Sequence, residues 1–284
     1  MQSLFVDRLT VIDFSYLDAV RGLVGESWIL DVELEGELND QGMLFDFSLV
    51  KKSIKQWIDS YIDHKLVVPA GRHGSHQQSQ QLEMISEDSF NFTLNSGETI
   101  FHRSPIEAVL FIDDVDVVDE RNIEQHLTNH LIKILPTNIA SVRLKLTPEP
   151  LKGAYYHYSH GLQKHDGNCQ RIAHGHRSSL EIEVAGKRDF MQEQHWASLW
   201  KDIYIATKSH QTSSDKAGYL RFEYQANQGD FVLELPERCC YLIEPETTVE
   251  QIAQYLAQTI SAQTQQSCRV KAFEGVGKGA ISKA

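Results

Sequence analysis

His174-Gly175-His176-Arg177-Ser178-Ser179-Leu180-Glu181-Ile182-Glu183-Val184 reads as a strand, because Leu180, Ile182 and Val184 alternate with polar residues. An extended backbone sends residues i and i+2 to one face roughly 6.6 Å apart, so the imidazoles of His174 and His176 can converge on one ion. Gly175 keeps the opposite face clear. Upstream, His160-Gly161-Leu162 and Cys169 add a third imidazole and a thiol within the same seventeen residues. Three neutral nitrogens that leave a fourth position open are the catalytic rather than the structural pattern of zinc, which binds imidazole at about 2.0–2.1 Å. A lone His-Gly-His would as readily be an exposed polar turn; His160 and Cys169 shift the reading to a metal.

The 284 residues, 41% of them hydrophobic, suit one large or two medium globular domains. A net charge of −12 disfavours nucleic acid and anionic membranes as partners. Lys164, His165, Arg171 and Arg177 still cluster beside the histidines, where an anionic substrate could use them. With no apolar run near 18 residues and no signal-peptide pattern at Met1–Thr10, a soluble, cytoplasmic protein is expected. Cys169, Cys239, Cys240 and Cys268 form no disulfide framework, so reduced thiols are expected. Cys239 and Cys240, near a strand end, read as structural.

The chain repeats itself. The first half offers strands at Leu4–Phe14 and Ser27–Gly36, then a helix with Leu49, Val50, Ile54, Trp57, Ile58 and Tyr61 on its apolar side, started by Asp46 or Ser48. A hairpin turning at Asn95-Ser96-Gly97, a helix over Asn122–Leu135 and a strand over Ser141–Thr147 follow. The second half repeats the order with strands Ala154–His160 and His174–Gly186 and a helix over Gln194–Thr207. A hairpin turning at Gln228-Gly229, a helix over Val249–Thr259 and a strand over Arg269–Phe273 complete it. The join falls at Pro148–Gly153, which gives domains 1–150 and 151–284. Each is an α+β unit, an antiparallel sheet with two helices on one face. Open sheet edges favour edge-to-edge assembly, so a homo-oligomer is expected.

With His160, Cys169 and His174-Gly175-His176 in one half, and Gly42-Met43-Leu44-Phe45-Asp46-Phe47 and Asp63-His64 in the other, the chain resembles the 6-pyruvoyl-tetrahydropterin synthase and 6-carboxytetrahydropterin synthase family of T-fold enzymes. Family members carry F-S-A-A-H at the first ligand, a cysteine before H-G-H, G-M-V-x-D-F before the first helix and Asp-His at its end. They also carry T-x-E-N at the second helix and a glutamate after the last strand. Tyr156-His157-Tyr158-Ser159-His160 matches the first of these motifs. In the first half, Asp18 stands where the first zinc histidine is expected and Val24-Gly25-Glu26 stands for H-G-H; in the second, Lys208-Ser209-His210 stands for Asp-His. Neither half is a complete site.

The resemblance implies a zinc enzyme whose site is shared between units. His160, His174 and His176 would bind Zn2+, Cys169 would be the acid–base group, and Asp63 would orient His64 as a proton relay. Glu274 would accept two hydrogen bonds from the aminopyrimidine edge of a pterin, with Thr248 as a further contact. The implied substrate is 7,8-dihydroneopterin triphosphate and the implied product 6-carboxytetrahydropterin, on the way to queuosine-like deazapurines. The 6-pyruvoyl product and a non-catalytic zinc- or pterin-binding T-fold are the alternatives; the last would be favoured by Asp63-His64 lying far from the metal. As residues alone, Asp63-His64 would be a helix-terminal surface pair and Glu274 a solvated strand residue. His73, His76, His102, His126, His130, His157, His165 and His195 fit no ligand spacing and read as surface or packing residues.

Overall fold

A computed structural model of the chain describes residues 1–71, 81–113 and 115–284. His73 and His76 lie outside the described residues.

The first half opens with two long strands, β1 (Gln2–Asp18) and β2 (Gly22–Gly36), paired antiparallel from Gln2↔Gly36 to Asp18↔Gly22. α1 (Phe47–Tyr61) follows. Asp46 caps it by accepting the N–H groups of Ser48 and Leu49, worth about 1 kcal/mol, and Val50, Ile54 and Ile58 turn one face into the core. Next come β3 (Leu66–Pro69), β4 (Leu82–Ser86), β5 (Ser89–Thr93), β6 (Thr99–Arg103) and β7 (Val109–Ile112). α2 (Glu120–Leu131), capped by Asp119, and β8 (Ile139–Pro148) close this half. α2 ends earlier than the periodicity suggests, its last turn tightening to a 3₁₀ form at Ile132–Ile134 ahead of Pro136.

The second half runs β9 (Tyr155–His160), β10 (His174–Val184), β11 (Lys187–Arg188), α3 (Phe190–Leu199), β12 (Ile203–Thr207), β13 (Gln211–Thr212), β14 (Tyr219–Ala226), β15 (Gly229–Pro236), β16 (Cys240–Ile243), α4 (Val249–Thr264), β17 (Cys268–Phe273) and β18 (Gly279–Lys283). The helix expected over Gln194–Thr207 is two elements. α3 stops after Leu199, Asp202 takes a left-handed φ of 56°, and Ile203–Thr207, buried throughout, becomes β12.

The chain therefore has two α+β units, but their sheets are mixed rather than antiparallel. β3 runs parallel to β1 and β7, and β12 runs parallel to β9 and β16. α1 and α3 bring the chain back to run beside β1 and β9 rather than their hairpin partners, and β4–β6 and β13–β15 then connect β3 to β7 and β12 to β16. The hairpins also leave their own units: β6 pairs with β15, giving a six-stranded sheet in the order β13-β14-β15-β6-β5-β4, built from both halves. A separate apolar core lies under this joint sheet, between the two cores that α1/α2 and α3/α4 cover.

The halves meet where β1 and β2 cross β9 and β10. Ser15 Oγ and Ser159 Oγ are hydrogen-bonded at 2.7 Å. A Cβ on Gly25 would sit 1.8 Å from the Tyr158 carbonyl, and one on Gly175 would sit 2.6 Å from Gly25 Cα. Only glycines permit this approach, and it sets the first half against the N-terminal end of β10.

Candidate metal and catalytic centre

His160 and His174 face each other as a cross-strand pair of β9 and β10, and His176 lies two residues further along the same face. All three are buried, and one ligand nitrogen from each lies within 4.8 Å of the others. Each ring is held from its far side. His160 Nδ1 donates to the Thr247 carbonyl at 2.8 Å, His174 Nδ1 to the Arg171 carbonyl at 2.9 Å, and His176 Nδ1 lies 3.2 Å from Asp13 Oδ1. The three Nε2 atoms are buried and have no hydrogen-bond partner, and His176 Nδ1 meets the Asp13 carboxylate as an ion-pair contact rather than in hydrogen-bond geometry. Unpartnered buried nitrogens are costly, and rings fixed through Nδ1 with Nε2 converging are what a metal ion requires. Burial drives the pKa values of His160 and His174 well below the usual imidazole range, each other ring adding repulsion, so both are neutral donors. The donor set fits a metal such as zinc.

Asp63 and His64 follow α1. His64 takes a left-handed φ of 56°, its N–H donates to the Asp13 carbonyl at 2.7 Å, and Asp63 Oδ1 accepts the Asp13 N–H at 2.9 Å. β1 thus holds the pair against the second half, with the His64 ring centroid 5.2 Å from that of His174. Asp63 Oδ2 takes His64 Nδ1 at 2.5 Å, and the ligand atoms of His64, Cys169 and His174 lie within 4.8 Å of one another. Burial opposes charge on His64, but Asp63 and Cys169 outweigh it and push its pKa up to about 10. Cys169 is a free, half-buried thiol. An Asp–His–Cys line therefore runs from the first half to the edge of the imidazole cluster, inside one chain. It opens on a cleft of about 450 Å³ lined by Thr10, Lys55, Asp59, Asn168, Val276 and Lys278 besides the residues named.

The remaining expected residues lie around this centre. Glu274 begins the turn after β17, its N–H donating to the Lys278 carbonyl at 3.0 Å, and its charge joins burial in raising the Tyr156 and Tyr158 pKa values. Thr248 caps α4 by accepting the Gln251 N–H. The basic cluster expected beside the histidines faces several ways: Lys164 pairs with Glu246, Arg177 donates to the Glu149 carbonyl, and Arg171 donates to the His64 carbonyl. Asp13, Thr247 and Arg171, which orient the three rings, escape a motif search. Two of them act through backbone carbonyls, which carry no residue signature, whereas Asp13 is visible as a carboxylate in the apolar run Val11-Ile12-Asp13-Phe14.

A family model described as 6-pyruvoyl tetrahydropterin synthase matches residues 16–93 and 151–283, well over half of the chain. The chain belongs to that family. A Pyrococcus horikoshii protein provisionally named a 6-carboxy-5,6,7,8-tetrahydropterin synthase is 22% identical over 144 residues, covering 51% of this chain and 80% of its own length. The 6-carboxy-5,6,7,8-tetrahydropterin synthase of Rickettsia typhi is 23% identical over 108 residues, 35% of this chain and 78% of its own. Among solved structures, the 6-pyruvoyl tetrahydropterin synthase of Plasmodium vivax aligns with a TM-score of 0.42 at 18% identity, over 53% of this chain and 93% of that one.

Strand register shows how the two halves of this 6-pyruvoyl tetrahydropterin synthase family member correspond. Ser15↔Gly25, Tyr16↔Val24 and Phe14↔Glu26 repeat Ser159↔Gly175, His160↔His174 and Tyr158↔His176. The counterpart of the first ligand is therefore Tyr16, not Asp18; aligning on the aromatic Phe14 displaces the match by two residues, whereas Ser15 and Gly25 sit at the crossing. Likewise Ser15↔Leu66 repeats Ser159↔Tyr204, which makes Lys201-Asp202, not Lys208-Ser209-His210, the counterpart of Asp63-His64. Asp202 has the same φ of 56° as His64. At this second centre the Arg21 guanidinium donates to Tyr16 Oη at 2.9 Å and to both Asp202 oxygens. A fixed cation stands among residues that replace the imidazoles.

Proposed function

We propose that the chain is a zinc-dependent pterin synthase that converts 7,8-dihydroneopterin triphosphate to 6-carboxytetrahydropterin, the step its curated relatives are named for and one that feeds queuosine-type deazapurines. The observation that carries this reading is the convergence of three unpartnered Nε2 atoms beside an Asp63–His64–Cys169 line. His160, His174 and His176 hold the ion. Zinc there supplies a Lewis acid for the oxygens of the substrate side chain. Cys169 Sγ moves the proton at the side-chain carbons, and His64, held by Asp63, exchanges that proton with the thiol. Its high pKa makes His64 an imidazolium at neutral pH, a proton donor seated between carboxylate and sulfur. Glu274 takes the aminopyrimidine edge of the pterin, Thr248 is a further contact, and Lys55 and Lys278, which line the cleft, meet the triphosphate. The cleft volume of about 450 Å³ suits a ligand of that size.

The main alternative is the 6-pyruvoyl product, formed by triphosphate elimination without cleavage of the side chain, which the family description favours. A non-catalytic binding protein would be supported by a distant Asp63-His64 pair, and the pair is adjacent. On this reading the domains divide as 1–150 and 151–284, with one competent centre per chain. The edge strands β8 and β18 are the surfaces for assembly into an oligomer. Incubation of zinc-loaded protein with 7,8-dihydroneopterin triphosphate, with mass identification of the pterin and an acetaldehyde assay, tests the reading. 6-Carboxytetrahydropterin with acetaldehyde and triphosphate supports it, the 6-pyruvoyl compound with triphosphate and no acetaldehyde supports the alternative, and unchanged substrate refutes both.

A further inference from the structure

We propose that Asp13 is a positioning residue of the metal centre: a carboxylate from the first half fixes the ring of a ligand, His176, from the second. The inference rests on the metal reading above and extends it, because duplication then divides the groups that support the ion as well as the groups that react.

Asp13 is 3% exposed, so both of its oxygens need partners. Oδ1 lies 3.2 Å from His176 Nδ1 and accepts the Ser27 hydroxyl, and Oδ2 lies 3.1 Å from Lys278 Nζ. The space around the carboxylate is closed by the turn after β17. Gly275, at φ 69°, would carry a Cβ 2.4 Å from Asp13 Oδ1 and 2.9 Å from Ser27 Oγ, so only glycine lets the turn close there. The backbone of Asp13 binds the relay, its N–H going to Asp63 Oδ1 and its carbonyl receiving the His64 N–H. One residue of β1 therefore touches a metal ligand through its side chain and both members of the Asp–His pair through its main chain.

The counterpart centre supplies an independent argument. By strand register His157 corresponds to Asp13, and Glu26 corresponds to His176. They also approach, His157 Nδ1 lying 3.6 Å from Glu26 Oε2 while it hydrogen-bonds the Gly25 carbonyl at 2.8 Å, so carboxylate and imidazole have changed places. At that counterpart centre Glu26 and Tyr16 stand in the ligand positions, and Arg21 donates to Tyr16 Oη and to Asp202. Two identical units would place the same residue type at positions 13 and 157. A tandem chain whose halves have diverged can put a carboxylate behind the ligand at one centre and an imidazole at the other.

A carboxylate behind a ligating imidazole fixes its tautomer and raises its basicity, and losing it costs about 10–100-fold in metal affinity. The test is the zinc dissociation constant, by competition with a chelating chromophore, of the parent, Asp13→Asn and the counterpart variant Glu26→Gln, together with each apo-protein's melting temperature. Asp13→Asn is expected to weaken zinc about 10–100-fold, beyond any change in apo stability, and Glu26→Gln to leave it within about twofold. If Asp13→Asn does not fold, Ser27→Ala, which removes the hydroxyl that holds Asp13 Oδ1 in place, must weaken zinc instead. A parent with one zinc per chain and an unchanged constant in these variants overturns the role of Asp13 alone. A parent that binds no zinc overturns the metal reading and this inference with it.

Discussion

Gly25→Ala strikes the contact on which the shared centre depends. The added methyl would lie 1.8 Å from the Tyr158 carbonyl oxygen and 2.6 Å from the His176 nitrogen, both backbone atoms of paired strands. Neither can swing aside as a side-chain tip would. An ordinary Cβ contact begins at 3.4 Å, so β2 must withdraw from β9 and β10 by about 1.6 Å. Overpacking of this kind costs about 1–3 kcal/mol or more, which for a chain of this size lowers the melting temperature by roughly 3–10 °C. The functional effect should exceed the loss of stability. Asp13, Asp63 and His64 belong to the half that moves, the imidazoles and Cys169 to the half that stays, and a misplacement near 1 Å costs on the order of 10²-fold in rate. Calorimetry and turnover of 7,8-dihydroneopterin triphosphate below the melting transition measure the two effects separately. A variant that melts within about 2 °C of the parent and turns over within twofold would refute the close crossing of the halves.

Cys169→Ala is expected to keep its zinc and lose about 10²-fold or more in turnover, checked by elemental analysis and a product assay. His174→Ala should lose zinc, and full retained stoichiometry would rule out this ligand set. Burial pushes the Glu26 carboxyl from its ordinary 4.5 up to about 7, against the Ser27 N–H and the charges of Arg177 and Arg21. A pKa raised on folding contributes stability that is complete below about pH 4.5 and lost as pH rises through about 7, a change on the order of 3 kcal/mol. Glu26→Gln should therefore flatten the fall in melting temperature between pH 5 and pH 8, and an unchanged slope would show that Glu26 does not titrate there.

The strongly alternating strands, both hairpin turns and the tandem order were legible because each has a local signal: period-two burial on β10, Asn95-Ser96-Gly97 and Gln228-Gly229 at the turns, and Asp46 ahead of α1. The short parallel strands were not. Leu66-Val67-Val68-Pro69 and Ile203-Tyr204-Ile205-Ala206-Thr207 are buried on both faces, so no alternation survives, and the second reads as the tail of a helix. The pairing of β6 with β15 depends on contacts between distant segments that periodicity cannot register. At the centre, spacing alone brought His160, His174, His176 and Cys169 into view, and the family resemblance brought Asp63 and His64. Thr247 and Arg171 stayed hidden because their carbonyls do the holding. Val24-Gly25-Glu26 does correspond to His174-Gly175-His176, but the counterpart of His160 is Tyr16 rather than Asp18, because a serine at the crossing, not the aromatic Phe14, sets the correspondence.

The most direct test of a single centre shared by the two halves is zinc content and turnover measured together on purified His64→Ala. His64→Ala is expected to hold about one zinc per chain, because the second half alone supplies the ligands, with turnover of 7,8-dihydroneopterin triphosphate reduced by about 10²-fold or more. Turnover equal to that of the parent, or loss of the metal along with the imidazole at position 64, would contradict it.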